Sequence, residues 1–411
     1  MGGERFRLGE TASIQKPVDR GSTTWLAFLL TGLFNYMLTA LGTSSERLRS
    51  DLGVSRGVVG LHATAFAVGI VLAGLTGERL SRRYGRRPVI VGGAVGMAGG
   101  ALLLALSHRA LLTLGGAFAM GASGSLLLVL LPALLTDLHG RRSGQVLAEA
   151  NSLSSFFAAF APFAVGAAVA VGVGWRGALL LGAAALLVTG VAFWYSTRGM
   201  TVASGVPAAR SSVGRRLPVA YWGWWATLVL VVCVEFSVVF WTPDELRTVA
   251  ALPAALAAGA VTIFELALAA GRLLGSQALR RTGSLMLLRG GLLTAGLGFA
   301  LYWSTGAPWL ALGALGIIGA GVAMLYPISL AEAIAAAEGR SDLASARAAL
   351  GSGLAIGLGP FVFGLLADTQ GVHTAFLIVP LLILAAGATS ALAVRSRRSG
   401  IPAGASERSQ R

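Results

Sequence analysis

Twelve apolar stretches, each long enough to cross a bilayer, constrain this chain more than any other feature. They fall near 24–42, 54–76, 88–107, 110–135, 146–172, 177–196, 219–241, 252–274, 285–303, 308–330, 346–367 and 373–394. A hydrocarbon core about 30 Å thick takes roughly twenty helical residues. The 411 residues have room for that many spans and their connections. With 55% hydrophobic and 12% charged residues and a mean hydropathy of +0.76, a soluble domain could not cover its surface, whereas membrane helices can face lipid. The fold class is therefore an all-α membrane protein. Its 57 glycines would weaken soluble helices, but they let membrane helices approach closely. One long polar interruption, 197–218, separates six spans from six. The expected organisation is a tail at 1–23, a six-helix bundle at 24–196, the linker, a second bundle at 219–394 and a tail at 395–411.

The two halves repeat. Gly77, Arg82, Arg83 and Gly85 recur 198 residues later as Gly275, Arg280, Arg281 and Gly283. The same offset carries Pro162, Phe163 and Gly166 onto Pro360, Phe361 and Gly364, and an offset of 195 carries Pro132 and Asp137 onto Pro327 and Glu332. Registered matches in one order imply a structural unit used twice, as in membrane folds whose halves are related by an axis along the membrane normal.

Charge sets the orientation. With both termini inside, 26 of the 32 Lys and Arg lie on cytoplasmic segments, and only Arg47, Arg49, Arg56, Arg109, Arg176 and Arg247 lie outside. That asymmetry places both termini in the cytoplasm of a multi-pass plasma-membrane protein. The net charge of +15 could suggest a nucleic-acid partner, but arginines spread over short connections argue for none. The single cysteine, Cys233, can form no intrachain disulfide. Met1 to Thr24 has no apolar signal-peptide core, so the first helix is expected to remain as an anchor. All nine Trp lie near span ends, as an interfacial belt would require, which leaves none at mid-membrane to stack on a sugar ring. No metal-ligand spacing, catalytic triad or phosphate loop is present, and glycine pairs such as Gly351 and Gly353 lie in an apolar span as packing residues. An enzyme is not expected.

The loop from Gly77 to Pro88 resembles the signature loop of the major facilitator superfamily, Gly-x-Leu-x-Asp-Arg-x-Gly-Arg-Arg, through Leu80, Arg83, Gly85, Arg86 and Arg87. Gly174-Trp175-Arg176 is also common in that family. The resemblance covers the chain and implies two pseudo-symmetric six-helix bundles around a central cavity. It departs where the family's loop Asp falls on Arg82. In the family that Asp sits by the start of span 11, so Asp342, just before that span, is the proposed cap in its place. Alternatively, Asp342 is a solvated loop charge.

Asp137 and Glu332 each lie five residues after a Pro and near an arginine pair, Arg82 and Arg83 or Arg280 and Arg281. Charge-assisted bonds between them would lock the cytoplasmic side in the outward-facing state. The same arginines could instead only set topology and touch lipid phosphate. Arg86, Arg87 and a cross-half pair of Glu149 with Arg347 complete the candidate gate, with a solvated cytoplasmic position as the alternative for Glu149.

Two carboxylates lie deep: Glu235, roughly 7 Å past the middle of span 7, and Glu265, within roughly 3 Å of the middle of span 8. A charge there is costly unless it pairs, faces water or takes a proton. By resemblance both spans line the cavity, so Glu235, with Glu265 as the partner, is the candidate proton carrier; alternatively, Glu265 faces an adjacent helix and hydrogen-bonds there while permanently protonated. Asn35 and His62 are further polar candidates, with cross-helix bonding and plain packing as their alternatives. Phe156, Phe157, Phe160 and Phe163 make span 5 aromatic, and a wall of that kind favours an amphiphilic substrate.

The function implied is secondary transport of a small organic solute by alternating access. The proton gradient would supply the energy, no cofactor would be bound, and a monomer would lie in the lipid bilayer. Efflux of lipophilic drugs or secondary metabolites is the alternative, and a non-transporting sensor on the same scaffold is the second.

Overall fold

The computed structural model describes residues 21–198, 217–338 and 340–399. Both tails and most of the linker lie outside the described residues. Helices α1 (Ser22–Thr43), α2 (Ser45–Leu52), α3 (Arg56–Tyr84), α4 (Arg86–Leu106), α5 (Ala110–His139), α6 (Ser143–Ala170) and α7 (Trp175–Ser196) form the first half. The second holds α8 (Val219–Thr248), α9 (Ala254–Thr282), α10 (Ser284–Ser304), α11 (Pro308–Val322), α12 (Leu325–Ala335), α13 (Ser341–Gln370), α14 (Val372–Ala375) and α15 (Ile378–Ser399). Among the described residues eleven helical stretches are long and apolar enough to cross a membrane, with Pro308–Ala335 and Val372–Arg397 each counting as one. The twelfth span is α3, 29 residues long, which opens with the shorter apolar stretch Arg56–Leu72. Short α2 lies between spans one and two.

The repeat read from the sequence is a repeat of packing. In the first half α3 and α4 pack on α5, α1 on α6, and α7 on α4 and α1; in the second, α9 and α10 pack on α11, α8 on α13, and α15 on α10 and α8. The 198-residue offset survives at the closest approaches. A Cβ on Gly121 would run into the carbonyl of Phe66, and one on Gly319 into that of Phe264. The duplicated loop glycines share a backbone conformation as well: φ +84 at Gly85, where α3 turns into α4, and φ +79 at Gly283, where α9 turns into α10. With ψ near 156 and 158, this region admits essentially only glycine.

The copies differ in span ten. Pro132 sits inside an unbroken α5, whereas its counterpart Pro327 follows a break between Val322 and Leu325. A proline ring cannot hydrogen-bond the carbonyl four residues back and clashes with it. Here that carbonyl belongs to Ala323.

Two helix pairs make the main contact between the halves, α3 with α13 and α6 with α9, and α1 and α2 also touch α8. In the first, Gly60 lies against the backbone of Pro360 and Phe361, Gly364 against the carbonyl of Arg56, and the Thr64 hydroxyl donates to the Gly357 carbonyl at 2.8 Å. In the second, Gly166 lies against Ala255 and Gly259. Small residues let these backbones meet without a hydrophobic driving force, which lipid does not provide.

The tryptophans correct one expectation. Trp25 and Trp309 are exposed as belt residues should be, but Trp175, Trp224 and Trp241 are buried between helices. The indole of Trp241 donates to the Pro360 carbonyl at 3.0 Å. Near a helix end, an indole has used its N–H on a neighbouring backbone.

Candidate functional site

The deep charges gather in the second half, where α8, α9 and the broken α11–α12 span meet. Exposed Ile263, Leu266, Leu273 and Leu274 mark the lipid side of α9. Glu265 and Arg272, seven residues apart and so nearly in line at 3.6 residues per turn, lie on the opposite side, toward the bundle interior. The Arg272 Nη2 is 3.7 Å from Glu235 Oε1 on α8, and the two side chains are 33% and 18% exposed. Arg272 Nε donates to the Ala323 carbonyl at 3.4 Å. That is the carbonyl displaced by Pro327, so the guanidinium serves both the acid and the break. Glu265 is buried at 6% exposure, and on its face, three residues toward the outer end, the Thr262 hydroxyl has no hydrogen-bond partner. Ser276, one turn beyond Arg272 toward the cytoplasmic end, is exposed.

Sequence reasoning placed both acids here and missed Arg272, which it had counted only as a topological charge. The available signal was its position within the apolar run 252–274, on the face of Glu265.

The other polar candidates separate. Asn35 shares a face of α1 with Gly42, which packs on Val239 and Phe240 of α8, so it looks toward the second half; its amide donates to the Thr31 carbonyl at 3.2 Å. His62 is buried between α3 and α5. Its Nδ1 donates toward the Val58 and Val59 carbonyls at 3.1 and 3.2 Å, and its Nε2 lies 2.8 Å from the hydroxyl of Thr113, which donates to the Ala110 carbonyl at 2.9 Å. The aromatic wall is a correction. Phe156, Phe160 and Phe163 are exposed, but Phe160 lies 6.2 Å from Tyr36, whose hydroxyl donates to Ala178 on peripheral α7. That stripe faces lipid. Phe157 instead packs on Gly32 of α1.

At the ends expected to be cytoplasmic, the candidate gate residues engage, among the described residues, mostly within their own halves. Asp137 pairs with buried Arg86, not with Arg82 or Arg83, which are exposed. Arg87 lies 3.8 Å over the Trp194 ring and donates to that residue's carbonyl. Glu332 accepts from Ser284 at 2.6 Å and lies 3.3 Å from Arg397. Arg347 lies 5.2 Å over Trp222, and Glu149 accepts from Gln145 at 3.1 Å. Arg281 is exposed. The side chains of Arg280 and Asp342 lie outside the described residues.

Among the described residues, the charged contacts between halves gather at the opposite ends, those expected to be outer, as a latch that sequence reasoning did not find. Fully buried Asp244, on α8, binds Arg56 at 2.5 Å and Arg49 at 3.4 Å. Glu46 on α2 reaches Arg247 at 3.3 Å, and Ser45 donates to the Phe240 carbonyl. The Asp368 carboxylate of α13 accepts from the Arg56 and Gly57 backbone N–H groups, each at 2.7 Å. It thus caps α3 from the opposite half, where an anion suits the helix's positive end. Trp175 and Arg176 both bind Asp51 and so tie α2 to α7. The signal in the sequence was the set of acids near outer span ends, Glu46, Asp51, Asp244 and Asp368, opposite the few outside arginines. Among the described residues, these contacts hold the two halves together at one end of the bundle.

Comparison with known proteins agrees with this architecture. The family model of the Major Facilitator Superfamily matches residues 23–338. A Multidrug resistance protein MdtL of Klebsiella pneumoniae is 32% identical over 117 residues, 28% of this chain and 30% of that protein. A Chloramphenicol resistance protein of Pseudomonas aeruginosa is 28% identical over 204 residues, 48% of this chain and 46% of that protein. The matched regions thus span less than half the length of these relatives. Among solved structures, a bacterial homolog of the human lysosomal transporter Spinster, inward-facing and occupied, gives a TM-score of 0.75 at 15% identity, covering 91% of this chain and 96% of that one. The xylose transporter XylE of E. coli, inward open, gives 0.72 at 15%, covering 92% and 95%.

Proposed function

The chain belongs to the major facilitator superfamily, and from that premise we propose that it is a proton-coupled secondary transporter of a small organic solute. It works by alternating access as a monomer in the plasma membrane, with both termini cytoplasmic. The observation that carries the coupling is the cluster of Glu235, Glu265 and Arg272. Two carboxylates beside one guanidinium are electrically neutral only with one proton on the pair, and an uncompensated charge in such a site is costly. A second proton is taken up when another group occupies Arg272, and it is given up when that group leaves. Glu235, which touches Arg272, is the acid that alternates. Glu265 is its buried partner. As the outer latch opens and the inner ends close, the cluster exchanges protons first with one side and then with the other.

Proteoliposomes with an imposed pH gradient test this reading across a solute panel. Wild type is expected to concentrate its solute against a gradient. Glu235→Gln is expected to keep downhill exchange while losing accumulation at least tenfold. Uphill transport by the variant at the wild-type rate would remove Glu235 from the coupling.

A second reading is proton-driven drug efflux, which the names of the two resistance-protein relatives favour. It predicts that expression in a drug-sensitive host raises the tolerated drug concentration, with the gain abolished by collapsing the proton gradient. The lipid-facing phenylalanines no longer support it.

A further inference from the structure

A guanidinium has five N–H donors. Arg272 commits one to the Ala323 carbonyl at 3.4 Å and points another toward Glu235 at 3.7 Å. Charge-assisted bonds in good geometry are about 2.7–2.9 Å long, so both contacts are loose. The rest of the group is unengaged, and its exposed third opens on the interior side of α9, away from the lipid-facing Leu266 and Leu273. A planar fork of spare donors at that position suits a planar anion, which it can grip through two parallel bonds. The carbonyl freed by Pro327 holds Nε in place, which leaves the two Nη groups to change partners.

We propose that Arg272 is the substrate-binding cation of this cavity, that the transported solute carries a carboxylate, and that this carboxylate takes Arg272 from Glu235 as Glu235 accepts a proton. The inference rests on the proton-coupled reading above and adds to it the charge of the substrate. Before binding, Glu235 and Arg272 neutralise each other. Afterwards the substrate anion neutralises Arg272, and the proton, drawn from the solution that the cavity faces, sits on a Glu235 oxygen. One negative charge and one proton enter together, so a monoanion moves with no net charge. Transport responds to the pH gradient and not to the membrane potential.

The test uses the purified full chain and isothermal titration with benzoate, phenylacetate, salicylate and hexanoate, each set against its uncharged carboxamide. Proton uptake is read from buffers of different ionisation enthalpy. At least one acid is expected to bind at least tenfold more tightly than its amide, with about one proton taken up per anion bound. Arg272→Gln is expected to remove that preference. Because this variant leaves Glu235 without its cation, the double variant Glu235→Gln with Arg272→Gln is measured beside it. It keeps the site neutral and is expected to lose both acid binding and proton uptake. The proposal is overturned if no acid in the panel binds saturably, if amides bind as tightly as acids, or if the folded double variant binds acids like wild type. Failure of the coupling reading is distinguishable. Accumulation by Glu235→Gln would end that reading while leaving an acid-over-amide preference in place.

Discussion

Glu46 shows how one carboxyl can bias a conformational equilibrium. It lies outside the spans, buried, with Arg247 at 3.3 Å and Arg47 at 3.7 Å. Loss of hydration pushes its pKa up and outweighs the lowering by Arg247 and Arg47; Asp244 adds to the rise and Arg49 opposes it. The latched form therefore holds this proton more tightly than a form in which Glu46 is hydrated and ordinary. Acidifying from neutrality toward the usual carboxylate range favours the latch, and below that range, with both forms protonated, the dependence ends. Labelling of a cysteine placed inside the outer vestibule is expected to slow on acidification, and Glu46→Gln to flatten that slope. Equal slopes would show that other groups carry it. At this scale the sequence was only partly legible. Glu235 and Glu265 stood out because acids are rare in apolar runs, whereas Arg272 was hidden among arginines that set topology. The partners of Asp244 lie on α2 and α3, nearly two hundred residues away, and no local pattern announces a contact of that range.

Helix elements were legible in length because bilayer thickness fixes it, and most span limits fell within a few residues of the helices. The even-numbered spans two and eight run on past their apolar stretch, to Tyr84 and Thr282, since a helix can continue after its hydrophobic part ends. The break between α11 and α12 was not legible. Pro132, Pro162 and Pro360 all sit inside continuous helices, so proline alone does not announce it; the difference is a side chain from another helix that takes the freed carbonyl. Two glycine substitutions should separate packing within a half from packing between halves. Gly319→Val forces a Cβ into the Phe264 carbonyl and is expected to destabilise the protein by on the order of 2 kcal/mol, read as a lower melting temperature in detergent. Gly60→Val meets Pro360 and Phe361, which belong to the other half. That variant should melt near wild type and label faster at outer cysteines. Identical behaviour of the two would contradict the division.

The whole molecule is two copies of one packing scheme, with its interior charge unevenly shared. The orientation expected of it follows from 26 of 32 basic residues falling on segments assigned to one side. A fluorescent protein fused to the C-terminus should therefore fold and glow, and an alkaline phosphatase fusion at the same place should be inactive; the reverse pattern would invert the topology. The unbroken α5 and the broken α11–α12 span carry a further implication. Among the described residues, no carboxylate or guanidinium lies at mid-depth in the first half, while the second holds Glu235 and Glu265, with Arg272 toward one end of its span beside the break. One half resembles a lever and the other a palm. Changes on the lever's facing surfaces should alter how often the protein turns over. Changes in the palm should alter what it carries, so speed and selectivity can be tuned on different halves of the same chain.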